Sequence, residues 1–250
     1  MNCGILMLLN MLLPQRILEQ NTPYCIKLEI KRSEMSSRNN KLMHSIENFK
    51  DNLKINVGAG GKKYEGWISL EKKDLDITSA KEWCDLFHEY KIKNILMEHV
   101  AEHLYYEDFI KFLLIVKPYL KENAVIRVAV PDGNHPSAYV RELTGVNGTE
   151  PGGDDHKYFY KISDMYEIAK NLNYSLKSIE YFTLEGYFIS NKPSFEDGYI
   201  SRCSQNYLGR FTTSKEEYSK MIDSVPLNLK EQFYRLKISY TSLWVDFLNG

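Results

Sequence analysis

Apolar positions alternate at Leu53, Ile55 and Val57 and stop at Gly58-Ala59-Gly60-Gly61. A period of two marks a short half-buried strand. The glycines let the backbone turn with φ > 0 and let a ligand come close to the main chain. A second apolar run, Trp67-Ile68-Ser69-Leu70, ends on an acid, Glu71. Strand, glycine turn, strand, acid is how an open α/β sheet builds a nucleoside site: the ligand lies beyond the carboxyl ends of the strands, and the acid accepts hydrogen bonds from ribose hydroxyls. A glycine-rich turn between strands is equally an ordinary loop, and residues 53–71 alone do not decide between the two.

Thr78 or Ser79 can cap a helix over 80–87, with Glu82 closing a capping box. Residues 92–100 are almost continuously apolar, as in a strand buried on both faces, and end on Glu98 and His99. Phe109, Phe112, Leu113 and Val116 have helical spacing within 106–119, and Pro118 with Lys121-Glu122-Asn123 ends that helix. Residues 124–130 form another buried strand, stopped by Pro131-Asp132-Gly133. Residues 134–157 are rich in Gly, Pro, Asn and Asp and predict a long loop. A helix over 164–173 and a strand over 175–183 follow. Residues 185–236 read as irregular, with a helical piece near 215–222, and 238–247 as a last strand.

This alternation predicts an α/β fold: a Rossmann-like, mostly parallel sheet with helices on both faces. Roughly nine residues separate the first two strands, whereas a parallel crossover usually needs a dozen or more, so the first crossover is shortened. Residues 1–50 read as an N-terminal extension, 51–250 as the main domain, and about 186–236 as a late insertion. The extension holds a short apolar helix at 5–13, a strand at 24–30 and a polar linker around 33–40.

With 250 residues and 43% apolar content the chain can bury a sizeable core. A net charge of −1 gives no basic field to gather nucleic acid or anionic lipid. The four cysteines are scattered without a Cys-x-x-Cys pair, which argues against a zinc ribbon or disulfide framework and suits a reducing, cytoplasmic setting. Residues 5–13 are too few to span a bilayer, and no basic residue precedes them as in a secretory signal. They read as a helix packing on the domain, with peripheral membrane contact as the lesser alternative.

The runs Asn56-Val57-Gly58-Ala59-Gly60, Gly66-Trp67-Ile68-Ser69, Leu75-Asp76-Ile77-Thr78, Glu98-His99-Val100-Ala101-Glu102-His103-Leu104, Arg127 to Pro136, Asp154-Asp155-His156-Lys157, Glu180-Tyr181-Phe182 and Tyr240-Thr241-Ser242-Leu243 occur in that order. Together they resemble the class I S-adenosylmethionine-dependent methyltransferases, and more narrowly a bacterial family of predicted methyltransferases with Glu-His-Val-x-Glu-His-Leu and Ala-Val-Pro-Asp-Gly-x-His-Pro motifs. Two departures stand out. The family's Pro-Gly-Gly turn before the fifth strand is here Lys121-Glu122-Asn123, and the segment between Arg202 and Tyr240 is longer.

The resemblance implies that the turn Gly58-Ala59-Gly60, with Asn56 before it, lies against the methionine part of S-adenosylmethionine. It implies that Glu71 binds the ribose diol, that Asp76 with Ile77 frames the adenine, and that Glu98 and His99 face the sulfonium and the acceptor. The chemistry agrees independently: ribose hydroxyls suit a carboxylate, an exocyclic amine suits an acceptor beside an apolar wall, and a sulfonium tolerates acids and aromatics. A nicotinamide cofactor fits less well. Its fingerprint needs three glycines opening a helix and an acid about 20 residues on, and here the acid follows Gly58 by about 13.

His99-Val100-Ala101-Glu102-His103 also fits the inverted zinc-peptidase signature His-x-x-Glu-His, which needs both histidines on one helix face. With His99 at a strand end the rings would not converge. Asp132 and His135 follow the fifth strand, and Asp154, Asp155 and His156 lie on the long loop. A histidine beside acids can act as general base, or can fix a loop through a hydrogen bond; for His99 and His156 both readings stand. Asp-Asp-His suggests a metal site as well, but no fourth ligand is evident and no metal is assigned. The expectation is a methyltransferase acting on a small-molecule or glycan-type acceptor, with His99, His156 and Asp132 as the catalytic candidates. The alternatives are a non-catalytic Rossmann-like binding module and a zinc hydrolase.

Overall fold

A computed structural model describes residues 37–204, 214–236, 238 and 242–250. The helix expected at 5–13 and the strand expected at 24–30 lie outside these residues. From Ser37 the expected linker is already helical, because α1 spans Ser37–Asn48 and buries Ile46 against the main core.

Seven strands form one sheet: β1 Leu53–Val57, β2 Ile68–Leu70, β3 Ile92–Glu98, β4 Leu120–Pro131, β5 Ser175–Phe182, β6 Phe188–Ser190 and β7 Ser242–Asn249. Their order is β2-β1-β3-β4-β7-β5-β6. The pairs among β2, β1, β3 and β4 are parallel, and β7 lies antiparallel between β4 and β5. The fold is therefore a mixed, mostly parallel Rossmann-like sheet. The first crossover is indeed short: β1 pairs with β2 in parallel, Ile55 opposite Ile68, and no helix separates them.

Alternation along the strands assigns the two faces. Leu53, Ile55 and Val57 of β1, Ile95 and Met97 of β3, Ile126, Val128 and Val130 of β4, and Val245 and Phe247 of β7 join one apolar cluster. That cluster takes up Trp83 and Phe87 of α2 (Ala80–Phe87), Phe109 and Phe112 of α3 (Tyr106–Val116), and Met165 and Ile168 of α5 (Ile162–Asn171). Ser79 caps α2 by accepting from the Glu82 amide, while the Glu82 carboxylate turns to the Asp76 amide instead of closing a box.

The other face carries Leu96, Ala129 and Trp244, covered by Ile200 and Phe195 and by Trp67. A buried arginine fixes that cover. Arg127 makes two 2.8 Å bonds to Asp246 across the β4–β7 pair, and its third nitrogen donates to the carbonyls of Ser194 and Gly198.

Three elements depart from the sequence expectation. The loop expected at 134–157 contains α4, Ala138–Thr144, capped by Ser137 and stopped at Gly145. The stretch expected to be irregular holds β6 and α7, Lys230–Leu236, besides α6, Lys215–Asp223. In each case neighbouring glycines and prolines obscured a short element stabilised by tertiary packing, since Val140, Phe188, Met221 and Phe233 share a second cluster. Cys84 is disulfide-bonded, a departure from the expectation drawn from the scattered cysteines. Among the described residues, no helix is long and apolar enough to cross a membrane.

Candidate functional site

Every parallel strand from β2 to β4 delivers its carboxyl end to one edge of the sheet. At the end of β1 the chain bends through Gly58, Gly60 and Gly61 with φ of +60, +58 and +78°, which glycine adopts at least cost. A Cβ on Gly58 would overlap Cγ2 of Val100, so the bend can approach the β3 loop only without a side chain. Above Gly60 and Gly61 the space is open. Ala59 is buried, and its amide donates to Leu70 at 3.3 Å, which ties the bend to the end of β2. Asn56 is buried in β1, level with Ser69 and Leu96.

Glu71 follows β2 directly. Its carboxylate accepts the Gly61 amide at 3.0 Å. The acid and the glycine bend therefore meet. Asp76 turns a different way: Oδ1 accepts from the amide and hydroxyl of Thr78, and these bonds hold its pKa below the usual carboxylate value. Ile77 is buried in the main core, with its carbonyl bonded to the Trp83 indole.

Glu98, at the end of β3, is enclosed by other parts of the chain. Lys62 reaches it from the glycine bend at 2.5 Å, and the amides of Ser201 and Arg202 and the Ser201 hydroxyl all donate to it. Burial alone would raise its pKa, but Lys62, His99 and the Ser201 amide outweigh burial and hold it low.

His99 sits at φ +56°, outside the region a non-glycine residue prefers. This conformation ends β3 and turns the chain into the single 3-10 turn Ala101–His103. The His99 Nδ1 pairs with Glu102 at 2.8 Å and its Nε2 meets Ser242 at 3.1 Å. The zinc-peptidase spacing is thus not laid out on a helix, and His99 is bound up with Glu102 itself.

His99, Asp132, Thr144, Arg202 and Ser242 line a cavity of about 10 Å³, room for about one water. Asp132 is fully buried. Its two oxygens accept the Asn134 and Phe182 amides at 2.8 and 2.7 Å, pinning the end of β4 to the end of β5. Burial raises its pKa to about 7 against the pull of those amides. His135 beside it is pushed down to about 3, first by burial and then by Arg141, so it stays neutral against Phe182 and Phe233.

His156 is buried, though not on that cavity. Its Nδ1 lies 2.8 Å from the Thr144 carbonyl, which fixes the proton there. The amides of Lys157 and Tyr158 both donate to the Glu102 carbonyl, so the loop is pinned and His156 stands edge-on to His103 at 4.8 Å. The edge therefore gathers the glycine bend, Glu71, Glu98, His99 and Asp132, while Asp76 and Ile77 sit at the head of α2.

Sequence reasoning missed Lys62, Ser201, Arg202 and Ser242. Lys62 carried a signal, a cation directly after the glycines. The other three come from more than a hundred residues beyond β3, and no local pattern announces such a meeting.

The sequence matches no protein-family model, and no curated protein sequence is significantly similar to it. Among solved structures, an S-adenosylmethionine-dependent methyltransferase from Archaeoglobus fulgidus aligns with a TM-score of 0.42 at 14% identity, over 84% of this chain and 92% of that one. The plantazolicin methyltransferase BpumL, in complex with S-adenosylhomocysteine, aligns with a TM-score of 0.39 at 14% identity, over 84% and 81%. An O-methyltransferase family protein from Burkholderia thailandensis gives 0.38 at 6% identity, over 60% and 56%. At such scores the function has to be argued from the site itself.

Proposed function

We propose that this protein is an S-adenosylmethionine-dependent methyltransferase acting on a small-molecule or glycan-type acceptor. The observation that carries the reading is the meeting of Glu71 with the Gly61 amide at the carboxyl edge of adjacent parallel strands. A carboxylate in that place can exchange one backbone amide for a ribose diol, and the open space above Gly60 and Gly61 leaves the bend accessible to the methionine end. Asp76 and Ile77 would bound the adenine side. The cofactor supplies a methyl on a sulfonium, which is already a good leaving group.

The chain's own contribution is alignment and, for a hydroxyl or amine acceptor, removal of a proton. His99 suits that task. Its Nδ1 proton goes to the buried Glu102 carboxylate, which leaves Nε2 as the basic nitrogen beside the cavity and Ser242. Asp132 has both oxygens committed to backbone amides and would act by positioning the β4 end. His156, tied to the Thr144 carbonyl at Nδ1 and buried away from that cavity, would fix the loop rather than take the proton.

A specific observation favours a second reading, a non-catalytic Rossmann-like module. The oxygens of Glu98 are already taken by Lys62, Ser201 and Arg202, and the adjoining cavity holds about one water. For catalysis the 201–202 segment would have to lift. A thermal-shift titration with S-adenosylmethionine separates the readings from no binding at all: ligand at about 100 times its Kd stabilises by about 2.7 kcal/mol. No shift at millimolar cofactor would refute the proposal.

A further inference from the structure

We infer that Glu102, His103 and His156 form a binding site for a first-row divalent transition-metal ion. One potential ligand atom from each residue lies within 4.8 Å of the others. Glu102 is 1% exposed and His156 4%, so two of the three are built into the interior rather than scattered on a surface.

Glu102 and His156 each have one heteroatom held by an outer partner and one left over, and His103 has Nδ1 turned toward a carboxylate. Glu102 Oε1 is held by His99 Nδ1 at 2.8 Å, and Oε2 is buried without a hydrogen-bond partner among the described residues. A buried carboxylate oxygen left bare is costly, and an ion would satisfy it. His156 Nδ1 is held by the Thr144 carbonyl at 2.8 Å, which leaves Nε2 as the ring nitrogen without that partner. His103 Nδ1 faces Asp155 at 3.6 Å, which leaves its Nε2. A ligating histidine characteristically gives its other nitrogen to a carbonyl or carboxylate, as His156 does to Thr144.

The backbone has the same organisation. Glu102 and His103 are consecutive in the 3-10 turn, and the Glu102 carbonyl accepts the amides of Lys157 and Tyr158, which brings His156 over the turn. For metal–ligand distances of about 2.0–2.2 Å, each ligand atom would close on the ion by about 1 Å or less. Two imidazoles and one carboxylate suit zinc, cobalt, manganese or iron; calcium and magnesium take oxygen donors. Three protein ligands leave open positions for water or a substrate oxygen.

The set differs from the His-x-x-Glu-His reading of the sequence, because His99 serves as an outer partner and His156 replaces it from 57 positions downstream. The inference is independent of the methyltransferase reading, since it is tested by metal binding alone. The full chain, free of a histidine tag and stripped with chelator, is titrated with Co²⁺ and followed by visible absorption, then by displacement with Zn²⁺. One equivalent should bind with ligand-field bands. Glu102→Gln and His103→Ala should each weaken it at least tenfold, a loss within the range even outer partners show. His103 is partly exposed, so His103→Ala should keep its fold by circular dichroism, and His88→Ala, at the C-terminal cap of α2, should bind as the parent does. Absence of a stoichiometric Co²⁺ signal, or unchanged affinity in folded His103→Ala, overturns the site.

Discussion

The Gly61 amide donates to the Glu71 carboxylate at 3.0 Å, so the bend after β1 and the acid after β2 are in contact across the first parallel pair. Glu71 is half-buried and follows a three-residue strand, and among the described residues its carboxylate accepts from the Gly61 amide alone. Glu71→Ala should therefore leave the melting temperature nearly unchanged while weakening cofactor binding roughly 10–100-fold, the worth of hydrogen bonds to a charged group. Isothermal titration with S-adenosylhomocysteine reads this directly.

Gly58 is constrained twice, by φ of +60° and by Val100. Gly58→Ala should destabilise by about 1–3 kcal/mol, since left-handed strain and overpacking each reach that order. The paired variant Gly58→Ala/Val100→Ala should recover only the packing part. Urea denaturation of both measures the difference.

Arg127 and Asp246 form a buried two-bond ion pair that also holds the carbonyls of Ser194 and Gly198. Removing one member leaves the other charge buried and uncompensated, so Arg127→Leu should cost about 3–5 kcal/mol. It should also free the segment over the second sheet face. Faster amide exchange at 194–202, measured by mass spectrometry, is the expected companion effect.

Asp132 and His135 make stability depend on pH in opposite directions. The folded pKa of Asp132 is raised to about 7, so the folded state holds an extra proton between about pH 4 and 7, and its contribution falls as pH rises through that range. The folded pKa of His135 is lowered to about 3, so its contribution rises with pH from about 3 to 6.5. The two slopes oppose each other. Asp132→Asn removes the first only; the destabilisation it causes should be larger at pH 5 than at pH 8, as urea midpoints at the two pH values will show.

Much of this architecture was legible in the chain. The alternation at Leu53, Ile55 and Val57, the apolar run to Glu98 and the spacing of Phe109, Phe112 and Val116 gave the sheet and its covering helices, because burial imposes those periods. The missing first helix followed from simple chain length between Val57 and Ile68. Helix α4 was hidden although Ser137 and Gly145 bracket it, since the surrounding loop composition outweighed a seven-residue signal. The site was legible as positions rather than as partners. Glu71, Glu98 and His99 were placed at strand ends, but Lys62 and Ser201 on Glu98, Ser242 on His99 and Thr144 on His156 are long-range meetings that only the folded chain specifies.

The most direct test is a crystal structure of the protein grown with S-adenosylhomocysteine. The ribose should lie on Glu71, the homocysteine against Gly58 to Gly61, and the 201–202 segment should have left Glu98. A crystal saturated with the ligand in which Glu71 still holds Gly61 and Ser201 still holds Glu98, with no nucleoside between them, would contradict the account.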